Sequence, residues 1–343
     1  MSRIVIADQS IAFDGTSLER GALGGAETAL IELAQALASR GHEVSVHNLC
    51  EKAVDHRGVA WRPLRDGVPD APDLFIANRG NRLLQFAPRA RTTVFWTHNP
   101  ATYMRKPRYQ WAFLRRRPII VFLGESHAAT YPWWGIDGGR RVIPYGISDR
   151  FLHAAPRTPP APRAVFTSNP QRSLDWLLQI WAERIHPAMP TAELHVFGGM
   201  GVYGSFGARK AAQMNAVFEQ AKALADKGVV LRGAVGKDQL VSELAAARCL
   251  LYRGDPGETF CLAAGEAQAM GVPAVVEAIG SLPERVRHGE TGFIVDGQAA
   301  FADAALRLLR DDDLWLRQHQ TALATQRDLT WDRCAASFEA LMR

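Results

Sequence analysis

The sequence predicts an α/β protein of two doubly wound, Rossmann-like parallel-sheet domains facing each other across a cleft. Three observations carry this expectation. Short apolar runs rich in β-branched residues alternate with segments of helical periodicity, the rhythm of an open parallel sheet. A proline-rich stretch interrupts that rhythm near the middle, and the rhythm then restarts. At 343 residues, each half is long enough to bury a core of its own.

The first strand is "RIVIA", a run suited to burial on both faces. A glycine-rich loop leads to "AETALIELAQALAS", with apolar residues at helical spacing up to Gly41. "EVSVHN", "DLFIAN", "TTVFWT" and "IIVFLG" are the further strands of a first domain over residues 1–152. Residues 153–164, "HAAPRTPPAPRA", hold four prolines and little to bury, and read as a linker. The second domain, 165–328, runs through strand "AVFTS", helix "RSLDWLLQIWAERI" and strand "ELHVFGG". A helix around Ala208–Ala225, strand "VVLRG", helix "KDQLVSELAAA" and strand "CLLYRG" follow. The helix within "GETFCLAAGEAQAMG" and strand "PAVVEA" come next. Residues 329–343 end in an amphipathic helix, "WDRCAASFEALMR", a candidate to pack back on the first domain.

No apolar run reaches the roughly 18–20 residues that span a bilayer. "MSRIVIADQS" lacks a signal-peptide pattern, because its short apolar run stops at Asp8. Cys50, Cys249, Cys261 and Cys334 are scattered, with neither CxxC pairs nor zinc spacing. A reduced, cytoplasmic setting is expected, with no metal and no cofactor. The net charge of +5 is uneven: residues 1–157 carry 21 Lys plus Arg against 14 Asp plus Glu, and the remainder 19 against 21. Residues 89–141 alone hold ten basic and two acidic side chains. Either an anionic partner or a solvated basic face accounts for this.

In open α/β sheets ligands bind where strand ends feed helix N-termini. The stretch "GETFCLAAGEAQAMGVPAV" offers such a place. The amides of Cys261 and Leu262 fall in a first helical turn, suited to a phosphate. Glu266 lies about 7.5 Å further along the axis, at the depth of an attached ribose, whose hydroxyls a carboxylate accepts. Glu258 lies on the other side of the phosphate. Two acids so placed bracket a nucleotide sugar; a dipole-favoured acid and a polar-face residue are the plainer reading.

With its surroundings, this stretch resembles the E-x7-E signature of retaining GT-B glycosyltransferases of family 4, the glycosyl transferases group 1. "GSLPERVRHGETGFIVDG" is similar to the family's tail through Gly280, Glu284 and Gly292. The resemblance implies that Glu258 touches the donor sugar and Glu266 the ribose. It places Thr259, Phe260, Cys261 and Leu262 at the donor. "GALGGAETALIELAQALASRGHEVSV" is similar to the family's first unit, and Gly24 and Gly25 would let a diphosphate or acceptor approach. "VIPYGISDRF" resembles the segment that ends the first domain, and "HVFGGMG" supplies Gly198 and Gly199 at a strand end. "VFTSNPQRSLDWLL" departs from the pattern: Arg172 stands where the family's lysine meets the diphosphate, and Ser173 stands where glycine is usual. His98, in "FWTHNP", occupies a strand end comparable to that of the family's cleft histidine.

The implied activity is metal-independent, retaining sugar transfer from a nucleoside-diphosphate sugar to a glycan, glycolipid or small-molecule acceptor. Same-face attack or a covalent intermediate on Glu258 would both retain configuration. A catalytically silent nucleotide-sugar-binding or carbohydrate-binding protein of the same fold is the alternative, raised by the departures around Arg172. "DDD" at Asp311–Asp313 reads as a solvated turn rather than a metal site. No G-x-G-x-x-G follows the first strand, which argues against a dinucleotide. "YMRKPRYQWAFLRRRP" interleaves Arg105, Lys106, Arg108, Arg115, Arg116 and Arg117 with Tyr103, Tyr109, Trp111 and Phe113. It would dock on a membrane's inner face or grip an anionic acceptor, or else form a soluble helix with its aromatics in the core. No nucleic-acid partner is expected.

Overall fold

The computed structural model describes residues 1–21, 23–199 and 211–342. Ala22, Met200 of "HVFGGMG" and the start of the helix expected from Ala208 lie outside them. The chain divides into unit 1, residues 1–146 with 329–343, and unit 2, residues 147–328.

Unit 1 is built on β1 (Arg3–Ala7), β2 (Glu43–Asn48), β3 (Val54–His56), β4 (Val59–Pro63), β5 (Leu74–Asn78), β6 (Thr92–Trp96), β7 (Ile119–Phe122) and β8 (Arg140–Val142). They align as β3-β4-β2-β1-β5-β6-β7-β8, parallel except for the β3–β4 pair. The central strands are buried throughout: Ile4 to Ala7 and Leu74 to Ala77 are inaccessible to solvent. That is why they read as unbroken apolar runs, since helices cover both faces of a parallel sheet. The sequence reading did not anticipate the edge strands β3 and β8, nor β4, which lies between β3 and β2. The two edge strands are three residues long with no buried residue, and β4 buries only alternate residues, so none of the three reads as an apolar run.

The chain returns to unit 1 at its C-terminal end through the helix Trp331–Glu339. Phe338 meets Trp96 edge-on at 5.4 Å, and Arg40 grips Glu339 at 2.5 Å and Asp332 at 2.6 Å. A side chain on Gly146 would run into the Trp331 backbone, so this approach requires glycine.

Unit 2 carries β9 (Arg163–Phe166), β10 (Glu193–Val196), β11 (Val229–Leu231), β12 (Cys249–Leu251), β13 (Ala274–Glu277) and β14 (Gly292–Val295). The order is β11-β10-β9-β12-β13-β14, all parallel. The proline-rich run lies along this unit: Arg157 donates through its backbone N–H to His319 and through its guanidinium to the Met270 carbonyl at 2.9 Å. Both sheets reverse strand order once, between β1 and β5 and between β9 and β12. These switch points open crevices at the carboxyl ends of the strands. The expected fold class, two doubly wound parallel-sheet domains, is borne out.

Candidate active site

The switch point of unit 2 brings together the loop after β9 and the loop after β12. Arg172 and Ser173 come from the first, and Tyr252 and Glu258 from the second. Glu258 is 7% exposed and accepts from the Arg172 guanidinium and from the Tyr252 hydroxyl, the latter at 2.7 Å. Burial works against the Arg172 charge, but the Glu258 carboxylate more than offsets it and holds the guanidinium protonated. Burial, reinforced by Glu258, pushes the Tyr252 hydroxyl far above its ordinary range, so it stays a donor.

Local backbone sets this cluster. Ser173 adopts φ +64°, the conformation that explains why glycine suits the position, and its Oγ donates to the Gly254 carbonyl at 3.0 Å. Cys261 has φ +65° just before the helix Leu262–Ala269. Left-handed backbone costs a residue with a Cβ about 1–2 kcal/mol, a cost concentrated where the chain turns into helix N-termini at the crevice. The first-turn amides of Leu262–Ala269 have no carbonyl partner within the helix and sit at its positive end. Burial drives the Cys261 thiol well above its usual range, so it is an inert wall group.

Glu266 is the fifth residue of that helix, 4% exposed, and is paired with Lys237, the first residue of the helix Lys237–Ala245. The Lys237 ammonium also lies 5.5 Å from the Phe151 ring centre. Each of the two carboxylates singled out in the sequence therefore carries one cation. Truncating one partner of such a buried pair strands the other charge.

Thr259 and Phe260 are buried, and the Arg285 guanidinium stacks 4.5 Å over the Phe260 ring. Gly199 follows β10, where a Cβ would press on Ala234. Gly280 has φ +57°, and a Cβ there would meet the Glu258 backbone carbonyl. The amide of Ser281 donates to that carbonyl at 3.2 Å, and its buried Oγ has no partner among the described residues.

Gly24, Gly25 and His98 lie in unit 1. Gly24 caps the helix Gly25–Ser39, and the Glu27 carboxylate folds over it, held by Arg79 at 2.8 Å. A buried polar chain crosses the switch point. The Tyr145 hydroxyl meets His98 Nδ1, His98 Nε2 meets the Asn78 carbonyl oxygen, and Asn78 Nδ2 donates to Asp8 at 2.7 Å. An amide oxygen only accepts, so the imidazole proton sits on Nε2 and Tyr145 donates to Nδ1. Burial, with the Arg79 charge second, holds the His98 pKa well below its ordinary value, so the ring is neutral. A cavity of about 520 Å³ opens on this chain, lined by Asp8, Ser10, Asn78, Arg79, Arg82 and Arg108 among others.

Sequence reasoning passed over Lys237, Tyr252, Ser281, Asp8, Asn78 and Arg79. A usable signal existed for four of them: Asp8, Asn78, Arg79 and Tyr252 are the last residue of a strand or follow one directly. None joins His98, Glu258 or Glu266 in sequence, so only folding reveals the pairing. Among the described residues no group of three His, Cys, Asp or Glu side chains is placed to hold a metal ion. The Asp311–Asp313 run starts a helix, with Asp311 accepting from the Leu314 amide at 2.9 Å.

Two doubly wound units of this topology define the GT-B class. Sucrose-phosphate synthase from Thermosynechococcus elongatus superposes with a TM-score of 0.75 at 18% identity, over 99% of this chain and 98% of that one. Anabaena HepE in complex with UDP-glucose gives 0.73 at 16% identity, over 99% of both. Residues 161–311 match the model of the family described as glycosyl transferases group 1, as the E-x7-E stretch led one to expect. D-inositol 3-phosphate glycosyltransferase of Corynebacterium glutamicum (strain R) is 42% identical over 86 residues, 24% of this chain. That alignment spans about a fifth of the relative's own length, 21%.

Proposed function

We propose that this protein is a retaining glycosyltransferase. It moves a sugar from a nucleoside-diphosphate sugar held on unit 2 to an acceptor, lipid-linked or anionic, received by unit 1. The observation that carries this reading is the pairing of Glu258 with Arg172 and of Glu266 with Lys237 around the N-terminus of Leu262–Ala269. A diphosphate at that N-terminus draws Arg172 and Lys237 onto itself and frees both acids. Glu266 then accepts from the ribose hydroxyls, and Glu258 from hydroxyls of the sugar. Lys237 supplies the second basic contact that the loop around Arg172 lacks.

In the reaction the bond between the anomeric carbon and the diphosphate oxygen breaks. Negative charge grows on the leaving oxygen, where Arg172 and the helix N-terminus already present fixed positive potential. The acceptor oxygen bonds to the anomeric carbon on the same face, and its proton passes to the departing phosphate. Charge stabilisation by protein groups leaves no step that requires a metal. We place the reaction in the cytoplasm, at the inner face of the membrane.

HepE was solved with UDP-glucose, which makes UDP-sugars the first donors to test. Thermal shift with UDP, GDP, ADP and CDP identifies the base; a ligand at 100 times its Kd adds about 2.7 kcal/mol of stability. Labelled donor with a panel of acceptors then reads transfer and product anomer, with and without EDTA. Inverted product, loss of transfer in EDTA restored by manganese, or binding without turnover would each overturn part of the reading.

A further inference from the structure

The helix Pro107–Arg116 buries Tyr109 and Phe113 against unit 1 and turns Trp111 and Leu114 outward. Beside it runs the segment 131–137. Gln110 fastens the two, accepting from the Ile136 amide at 2.8 Å and donating to the Tyr131 hydroxyl at 3.3 Å. Arg140 braces the segment by donating to the carbonyls of Pro132, Trp133 and Gly135, with its guanidinium over the Tyr131 ring. So braced, the segment holds Trp133 at 88% exposure and Trp134 at 47%, while the helix fastened to it exposes Trp111 at 63% and Leu114 at 46%. Six large apolar side chains are exposed among the described residues, and four of them lie on this helix and the segment that Gln110 fastens to it.

Cations surround them. Arg105, Lys106, Arg108, Arg115 and Arg117 belong to the same stretch, and no carboxylate lies within ion-pairing distance of any of them among the described residues. Arg116 instead holds the carbonyls of Ala87 and Pro88. Elsewhere in unit 1 arginines such as Arg40 and Arg79 are paired. Indoles favour the boundary between headgroups and acyl chains, and unpaired cations beside them meet anionic headgroups.

We propose that Trp111, Leu114, Trp133 and Trp134, with the flanking cations, form a docking surface for an anionic lipid bilayer. The indoles enter the interfacial layer while Arg105, Lys106, Arg108, Arg115 and Arg117 contact lipid phosphates. The surface binds peripherally: no helix of the described residues is long and apolar enough to cross a membrane. It deepens the placement at the membrane's inner face and does not require the proposed donor chemistry on unit 2.

Co-sedimentation with vesicles of phosphatidylcholine, with and without phosphatidylglycerol, tests it. The wild type sediments with the anionic vesicles at low salt and is released at high salt. W133S/W134S and R115S/R117S each weaken that binding about tenfold or more. Both variants keep the wild-type thermal shift with nucleotide, which shows that they fold and separates this outcome from any failure of the donor site. A wild type that stays in the supernatant overturns the proposal. So does equal binding to neutral vesicles, a W133S/W134S variant that sediments like wild type, or capture of RNA or acidic protein in place of lipid.

Discussion

At the scale of single residues, the two acids of the E-x7-E stretch are separable by what they hold. Glu266 is buried against Lys237 at helix depth, beyond the proposed phosphate position. Glu266→Ala removes charge-assisted hydrogen bonds worth about 1.5–3 kcal/mol each, so calorimetric titration of the free nucleoside diphosphate should show weaker binding. Unchanged affinity would remove Glu266 from the site. Glu258 and His98 sit on the two switch points rather than beside the proposed nucleoside. Glu258→Gln and His98→Ala should therefore lower turnover at saturating donor far more than they lower affinity for the bare diphosphate. A variant with wild-type turnover refutes its own assignment. The acids were visible in the sequence because the spacing between a loop residue and the fifth residue of the helix that follows is a local property. Their cations were not: Lys237 lies 29 positions from Glu266, and Arg172 lies 86 from Glu258.

At the scale of elements, strands buried on both faces announced themselves. β1, β5 and β7 are dominated by Val, Ile, Leu and Phe, and β6 ends on the buried Val94, Phe95 and Trp96, because both faces meet helices. Edge strands did not, since one open side removes the constraint on composition. The Asp311–Asp313 run is decided at this scale too. Asp311 caps the helix Asp312–Thr325, and losing such a cap costs about 1 kcal/mol. Asp311→Ala should lower the melting temperature by a few degrees and leave transfer unchanged. Lost transfer with retained stability would revive a metal role for the run.

At the scale of the whole molecule, unit 1 is closed by the far end of the chain. Glu339 gains its stabilisation from hydrogen bonds to Arg40, which with His42 and despite some burial bring its pKa from 4.5 to about 2. A lowered carboxylate pKa means that the unfolded chain binds the proton first. This contribution is complete above about pH 4.5 and is lost as pH falls towards 2. Denaturant melts of wild type and Glu339→Gln should differ at neutral pH and converge as pH falls through that window. A constant difference down to pH 2 would show that the ion pair does not control the closure.

The sequence by itself determined the class of the molecule. Alternating buried strands and amphipathic helices, interrupted once by prolines, specify two doubly wound sheets, because burial on both faces leaves its mark residue by residue. It also marked Glu258 and Glu266, whose spacing is set locally by one loop and the helix that follows it. Tertiary structure alone decided which cation each acid meets, that Asp8, Asn78 and His98 form one buried polar chain, and that Gln110 fastens the helix of Trp111 to the segment of Trp133 and Trp134. Those relations join segments that chain order keeps apart. They exist only once parallel strands, each separated from the next by a crossover, bring their carboxyl ends side by side.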